Sequence, residues 1–338
     1  MRITQNTIFD QMSRSMQKTM ENYARLNQVL GSGKKILSPS DDVSGSTRAL
    51  AYRVNINGNT RYQQNIDQAT ARLNVTDTVL TQLYSTLSDV KGLVTQSAGG
   101  TMDAATRTSL SFEASLFRDQ LADLANTKYL NQYLFSGFRT STQPYSASTV
   151  PAYQYQGDSG VMNVMIDHAA TLPVNVTGDS AFSAALAAPA VQQIGSGNYV
   201  HYTPGAGTTV NVEIRDNTDT AVLDTFSYSN IMQMTDLLST AISTNDTLRI
   251  QALVTPFSQA QDQLATTQAD VGARLLRLKD QSSLLTQGTN TLQTALAAVE
   301  DADMTATGVE LQKTNVALQA LYAASSKIMS QSLFDFLK

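Results

Sequence analysis

Three clusters in this chain have residue types and spacings that chemistry could use. Gly31-Ser32-Gly33-Lys34 resembles the close of a phosphate-binding loop, in which backbone N–H groups and a lysine cradle phosphates. Such a loop needs glycine five positions before its Gly-Lys pair and Ser or Thr after it. Gln28 and Lys35 stand there instead. Asp301, Asp303 and Thr305 match the opening of a calcium loop, but Ala306 replaces its turn glycine and Gln312 its closing glutamate. A capped helix start accounts for them better. His168 and His201 lie in no ligand motif and read as surface or turn histidines. With no cysteine in the chain, thiol catalysis, disulfides and cysteine-ligated metals are excluded together. The sequence therefore predicts no catalytic residue, no cofactor and no metal.

What remains are the elements that would have carried such residues, and these point to assembly. Charged residues make up 15% of the 338, below the roughly 25% of ordinary chains. Gln, Asn, Ser, Thr and Ala replace them. A surface of that kind packs against copies of itself with little desolvation cost. A net charge of −5 and no run of more than two basic residues argue against nucleic acid and against an anionic membrane. No stretch approaches 18 apolar residues, so no membrane span is expected, and MRITQNTIFDQM lacks the apolar core of a Sec-type leader.

The two ends carry slender helical stripes. Phe9, Met12, Met16, Thr19, Tyr23, Leu26 and Leu30 step by three and four. Leu311, Leu318, Leu321 and Ile328 form a similar seam with Thr314 and Ser325 as polar members, before a tail containing Leu333 and Phe336. Seams of this period want a partner helix, and a lone helix of this length is marginal in water. Few nearby residues could cover them within one chain, so both are read as assembly surfaces that order on assembly. Between them lie longer helices. One runs over about 43–97, roughly 80 Å at 1.5 Å per residue. A second covers about 103–128. A third starts near Pro256, placed in its first turn, and carries Phe257, Leu264, Val271, Leu278 and Leu285. The economical arrangement is an elongated antiparallel helical bundle. The first turn between helices falls at Ser38-Pro39-Ser40-Asp41-Asp42, where Asp41 and Asp42 read as caps.

Between 138 and 230 the texture changes. Six of seven prolines follow residue 140, and short β-rich runs appear at Tyr153–Tyr155, Val161–Ile166, Pro173–Thr177, Val210–Ile214 and Val222–Tyr228. A helix is expected over 230–243. The fold class is mainly α with an inserted β domain. Its expected division is a terminal coiled-coil assembly domain (1–40 and 305–338), a helical rod (41–137 and 251–304) and an outer β-rich insert (138–250).

RLNQVLGSGKKILSPSDDVSGSTRA (25–49), LSDVKGLVTQSA (87–98) and the Glu300-Asp301-Ala302-Asp303-Met304 start of the last helix resemble the terminal regions of flagellins. The turn at Ser38, Asp41 and Asp42 belongs to that signature. YLFSGFRTSTQPY, read from Tyr133 to Tyr145, and YQGDSG (155–160) are similar to the hook-associated branch of the family. Residues 178–250 match no pattern of that family. The resemblance implies a structural axial protein of the bacterial flagellum, forming the junction layer between hook and filament. It implies copies of itself in a ring, junction neighbours on the hook and filament sides, and a cytosolic export chaperone at the C-terminal region. It also implies passage through the flagellar type III export apparatus to the outside of the cell. The alternatives are a flagellin filament subunit, or a type III secretion needle-tip or translocator-like helical protein. The last would need an amphipathic basic face, which is absent.

Overall fold

Where short polar side chains meet a helical stripe, this chain starts a helix. The computed structural model describes residues 5–99, 102–184, 189–195 and 197–336. Helix α1 (Gln5–Ser32) is followed by α2 (Val43–Ser97), whose bounds are those the stripe predicts. Helix α3 (Ala104–Ala125) starts at Asp103, whose carboxylate accepts the Thr106 N–H at 2.8 Å, and ends at Asn126, earlier than expected. Two hairpins come next: β1 (Lys128–Tyr129) with β2 (Gln132–Tyr133), and β3 (Asn163–Asp167) with β4 (Ala170–Pro173). After the short helix α4 (Gly178–Ala181), strands β5 (Ala190–Gln193), β6 (Tyr199–Pro204), β7 (Val210–Arg215) and β8 (Val222–Tyr228) form one antiparallel sheet in chain order. Helices α5 (Ile231–Thr244), α6 (Thr247–Glu300) and α7 (Met304–Phe336) complete the fold. The chain is thus mainly helical with small antiparallel sheets.

Three expectations are corrected. Helix α6 begins nine residues before Pro256, so the proline lies inside it and not in its first turn. Tyr153–Tyr155 is not a strand; Tyr153 has φ +58°, a left-handed conformation that breaks an extended run. Of Pro173–Thr177, only Pro173 is in a strand. The rest is held by the Asn175 side chain, which accepts from the Met162 N–H and donates to the Gly160 carbonyl, each at 2.8 Å.

The chain divides into two compact units, Met1–Arg61 with Leu284–Lys338, and Tyr62–Ser283. The first unit contains α1, α7 and the adjoining ends of α2 and α6. In the second unit α2 and α6 run antiparallel, with Gln63 bonded to Ser282 at 2.7 Å and Lys91 to Gln261 at 3.2 Å. Ile66, Leu73, Leu80, Leu83 and Leu87 of α2 are buried there, as are Phe257, Leu264, Val271 and Leu278 of α6. Helix α3 packs on α5, with Arg118 paired to Asp236 at 2.6 Å. The four-stranded sheet buries alternate residues of its two inner strands, Val200 and Tyr202 of β6 and Val210, Val212 and Ile214 of β7.

Candidate assembly interface

The turn at Ser38, Asp41 and Asp42 is built by side chains that replace missing backbone partners. The Asp41 carboxylate accepts the N–H groups of Ser38 (2.8 Å) and Leu37 (3.0 Å), and these two bonds hold its pKa below the ordinary value. Ser38 and Ser40 share a hydroxyl contact at 2.5 Å. Asp42 caps α2 through the Gly45 N–H at 2.8 Å. An ideal Cβ on Gly45 would sit 2.3 Å from that carboxylate and 2.7 Å from Ile36 Cδ1, so any other residue there must displace the cap.

The stretch that resembled a phosphate loop is a clamp. The Lys35 N–H donates to the Glu300 carbonyl at 2.8 Å, and the Ala302 N–H to the Gly33 carbonyl at 2.9 Å. Lys34 and Arg53 both pair with the buried Glu300 carboxylate, and the Lys35 ammonium donates to the Ala298 carbonyl at 3.0 Å. Burial pushes the Glu300 carboxyl up, but hydrogen bonds from Lys34 and Arg53 outweigh it and hold the group below its ordinary value. The stretch that resembled a calcium loop caps α7: Asp303 accepts the Thr305 and Ala306 N–H groups, each at 2.9 Å. The clamp fastens the segment after α1 to the end of α6, just before α7 begins.

From that clamp α1 and α7 run antiparallel, and they touch again where the Tyr322 hydroxyl meets the Met20 sulfur at 3.8 Å. The two terminal stripes therefore have a partner in each other within the chain. Cover is incomplete. Met12, Met16, Tyr23, Leu26 and Leu30 are half-buried on α1, as are Leu311 and Leu321 on α7. Leu318 and Thr314 are buried. Phe9 is exposed. The side chains of Ile328, Leu333 and Phe336 lie outside the described residues, although α7 extends through Phe336. Sequence reasoning missed Val29, which is buried, and Arg53 and Glu300, which make the clamp. The motif containing Glu300 was visible, but its partners lie more than two hundred residues earlier.

The 133–160 motif packs as one knot. The Tyr155 hydroxyl lies between the Phe135 and Asp158 carbonyls at 2.8 and 2.9 Å, which share its one proton, and the Tyr145 hydroxyl donates to the Gly178 carbonyl at 2.9 Å. Phe135 meets Phe182 edge to face at 5.1 Å. Gly137 has φ +68° and sits so close to Asp158 that a Cβ would overlap it at 2.1 Å. His168 is exposed in the β3–β4 turn, and His201 faces Asp219 at 2.6 Å. Among the described residues no group of three or more His, Asp or Glu could hold a metal ion, and no helix is long and apolar enough to cross a membrane.

Residues 3–140 match the family described as the bacterial flagellin N-terminal helical region, and residues 254–337 the bacterial flagellin C-terminal helical region. Over 100% of its length and 100% of the relative's, the chain is 23% identical to flagellar hook-associated protein 3 of Escherichia coli. A solved flagellar hook-associated protein of Vibrio parahaemolyticus superposes with a TM-score of 0.61 at 18% identity, covering 77% of this chain and 100% of that one. Flagellar hook associated protein-3 of Legionella pneumophila gives 0.58 at 19% identity, covering 74% and 98%. These superpositions show the shared fold. Both ends match flagellin regions, and the stretch between them, which neither region covers, is included in the full-length alignment: the chain belongs to the flagellin superfamily, in its hook-associated protein 3 branch.

Proposed function

We propose that this chain is a structural protein rather than an enzyme, and that its copies form the junction layer between hook and filament of the bacterial flagellum. The observation that carries this is the α1/α7 pair, clamped at Glu300 and only half covered. Two helices side by side bury one stripe each; the apolar residues left over, among them Phe9, Val309 and Val316, are satisfied by further helices. A head-to-tail contact repeated by rotation builds a ring or helical layer from such subunits. In this reading residues 1–40 and 305–338 form the assembly domain, residues 41–137 and 251–304 the rod, and residues 138–250 the outer domain. The terminal seam residues, Phe9 to Leu30 and Leu311 to Phe336, meet neighbouring copies and the junction proteins on the hook and filament sides. Low charge and many amides leave the inner surface hydrophilic. The protein acts outside the cell. It travels through the flagellar type III apparatus, with a chaperone holding its C-terminal region beforehand.

Electron microscopy of a strain lacking the protein tests this. Hooks without filaments, with flagellin shed into the medium, are the expected result. Filaments of normal length in that strain sink the reading. Filaments absent together with any flagellin pool would indicate a filament subunit instead.

A further inference from the structure

In the second unit, one face of the α2/α6 pair carries a groove. Its walls include Asp67, Thr70, Ala71 and Asn74 on α2 and Gly272 and Ala273 on α6, with a volume of about 1020 Å³. Leu276, 64% exposed, stands at its edge, and Lys279 lies on its rim. Gly272 is in the interior of a 54-residue helix, where glycine weakens the helix relative to alanine. A Cβ there would meet no atom of the described residues within 4 Å.

The same unit carries the matching convex feature. On α3, Phe112 (63% exposed) and Leu116 (53% exposed) are one turn apart and form an apolar ridge. Glu113 lies between them in sequence, exposed. Glu113 and Lys279 are each without an ion-pair partner among the described residues. The ridge is convex where the groove is concave, and the Glu113 carboxylate is opposite in sign to the Lys279 ammonium on the rim.

We infer that they are the two halves of one heterologous contact: the α3 ridge of one copy seats in the α2/α6 groove of the next, with Glu113 beside Lys279. Glycine at position 272 lets the incoming ridge approach the helix backbone closely. A contact between two different patches of one chain propagates to a ring or helix instead of stopping at a dimer. This rests on the reading that copies of the chain form a layer, and names where they touch.

The absence of cysteine makes the test clean. Flagella are isolated from cells producing the full-length chain as Leu116→Cys, as Ala273→Cys, as both in separate chains, or as both in one chain, and treated with a short thiol–thiol crosslinker. Each single variant alone should give no product, the co-expressed pair a dimer, and the doubly substituted chain a ladder. A dimer from Leu116→Cys alone, or no product from the pair on flagella that contain both chains, overturns the inference. Gly272→Leu is the second arm. It fills the groove without a clash, so helical circular dichroism should be retained while the protein is lost from isolated flagella. Gly272→Leu protein built into flagella at the wild-type level overturns the inference too. Wild-type protein missing from isolated flagella would instead break the junction reading on which this depends.

Discussion

The Tyr202 hydroxyl occupies the hydrogen bond that Pro256 takes away. Inside α6 the proline has no N–H to give the carbonyl four residues earlier, that of Ala252. Tyr202, on β6 of the four-stranded sheet, donates to that carbonyl at 2.6 Å. Tyr202 is buried, and burial pushes its phenol pKa well up, so it stays a donor throughout the physiological range.

Tyr202→Phe should therefore destabilise the protein by about 1–2 kcal/mol, since it leaves a buried carbonyl unpaired. In a Pro256→Ala background the helix supplies its own N–H, and the same change should cost less. Chemical denaturation of the four members of this cycle gives the coupling. Equal costs in both backgrounds would show that Tyr202 acts by packing alone.

Misplacing the start of α6 has this same physical cause. In sequence Pro256 reads as a first-turn residue because an interior proline costs roughly 3 kcal/mol. The compensating hydroxyl lies on a strand that was itself not foreseen, β6, whose short Tyr-Val-His-Tyr alternation is flanked by Gly and Ser. The bounds of α2 were legible because one seam, from Asn55 and Asn59 through Leu80 and Leu87 to Val94, repeats along most of its length. The terminal seams were legible as seams. What was not legible is the clamp at Glu300, which joins Lys34 and Arg53 to a residue far along the chain, because no local pattern encodes such a pair.

That clamp makes stability depend on pH in a defined direction. Glu300 has a folded-state pKa below its ordinary value of 4.5. Its contribution is fully present above 4.5 and is lost as pH falls through the lower folded value. Glu300→Gln should flatten the acid limb of the stability curve below pH 4.5 and lower stability at neutral pH by about 1 kcal/mol, because Lys34 and Arg53 are half-exposed and regain water. Unfolding midpoints of both proteins across acid pH measure this. Parallel acid limbs would place the titration elsewhere.

Arg72 is a stabilising substitution waiting to be made. It is 9% exposed, and its buried Nε and Nη2 atoms have no hydrogen-bond partner among the described residues. Burial pushes its pKa down from the usual guanidinium value. Buried guanidinium N–H groups left without partners are costly, so Arg72→Met, which keeps the length of the stem, should raise stability by about 1–3 kcal/mol. A lower denaturation midpoint for Arg72→Met would mean that the guanidinium has a partner in solution.

The terminal helices should be the least protected part of the dilute monomer. Ordering a residue costs roughly 1–2 kcal/mol, and the α1/α7 pair brings Val29, Thr314 and Leu318 to full burial while its other described seam residues stay half-covered or exposed. Ser, Thr and Asn recur through both helices and add little intrinsic propensity. Isolated helices of this length are marginal, so the remaining half of each seam must be covered before the pair outweighs its ordering cost. The clamp end is the exception, since Glu300, Lys34 and the capping Asp303 hold it from both sides. Hydrogen exchange should then show a gradient. Amides from Met12 to Leu26 and from Leu318 to Leu333 exchange quickly in the monomer, those beside the clamp exchange more slowly, and all become protected after assembly. The Met20–Tyr322 contact lies in the quick region and serves as the marker. Strong protection around Met20 in dilute monomer would mean that the α1/α7 pair is complete by itself, and the terminal seams would then lose their role as the surface that recruits further copies.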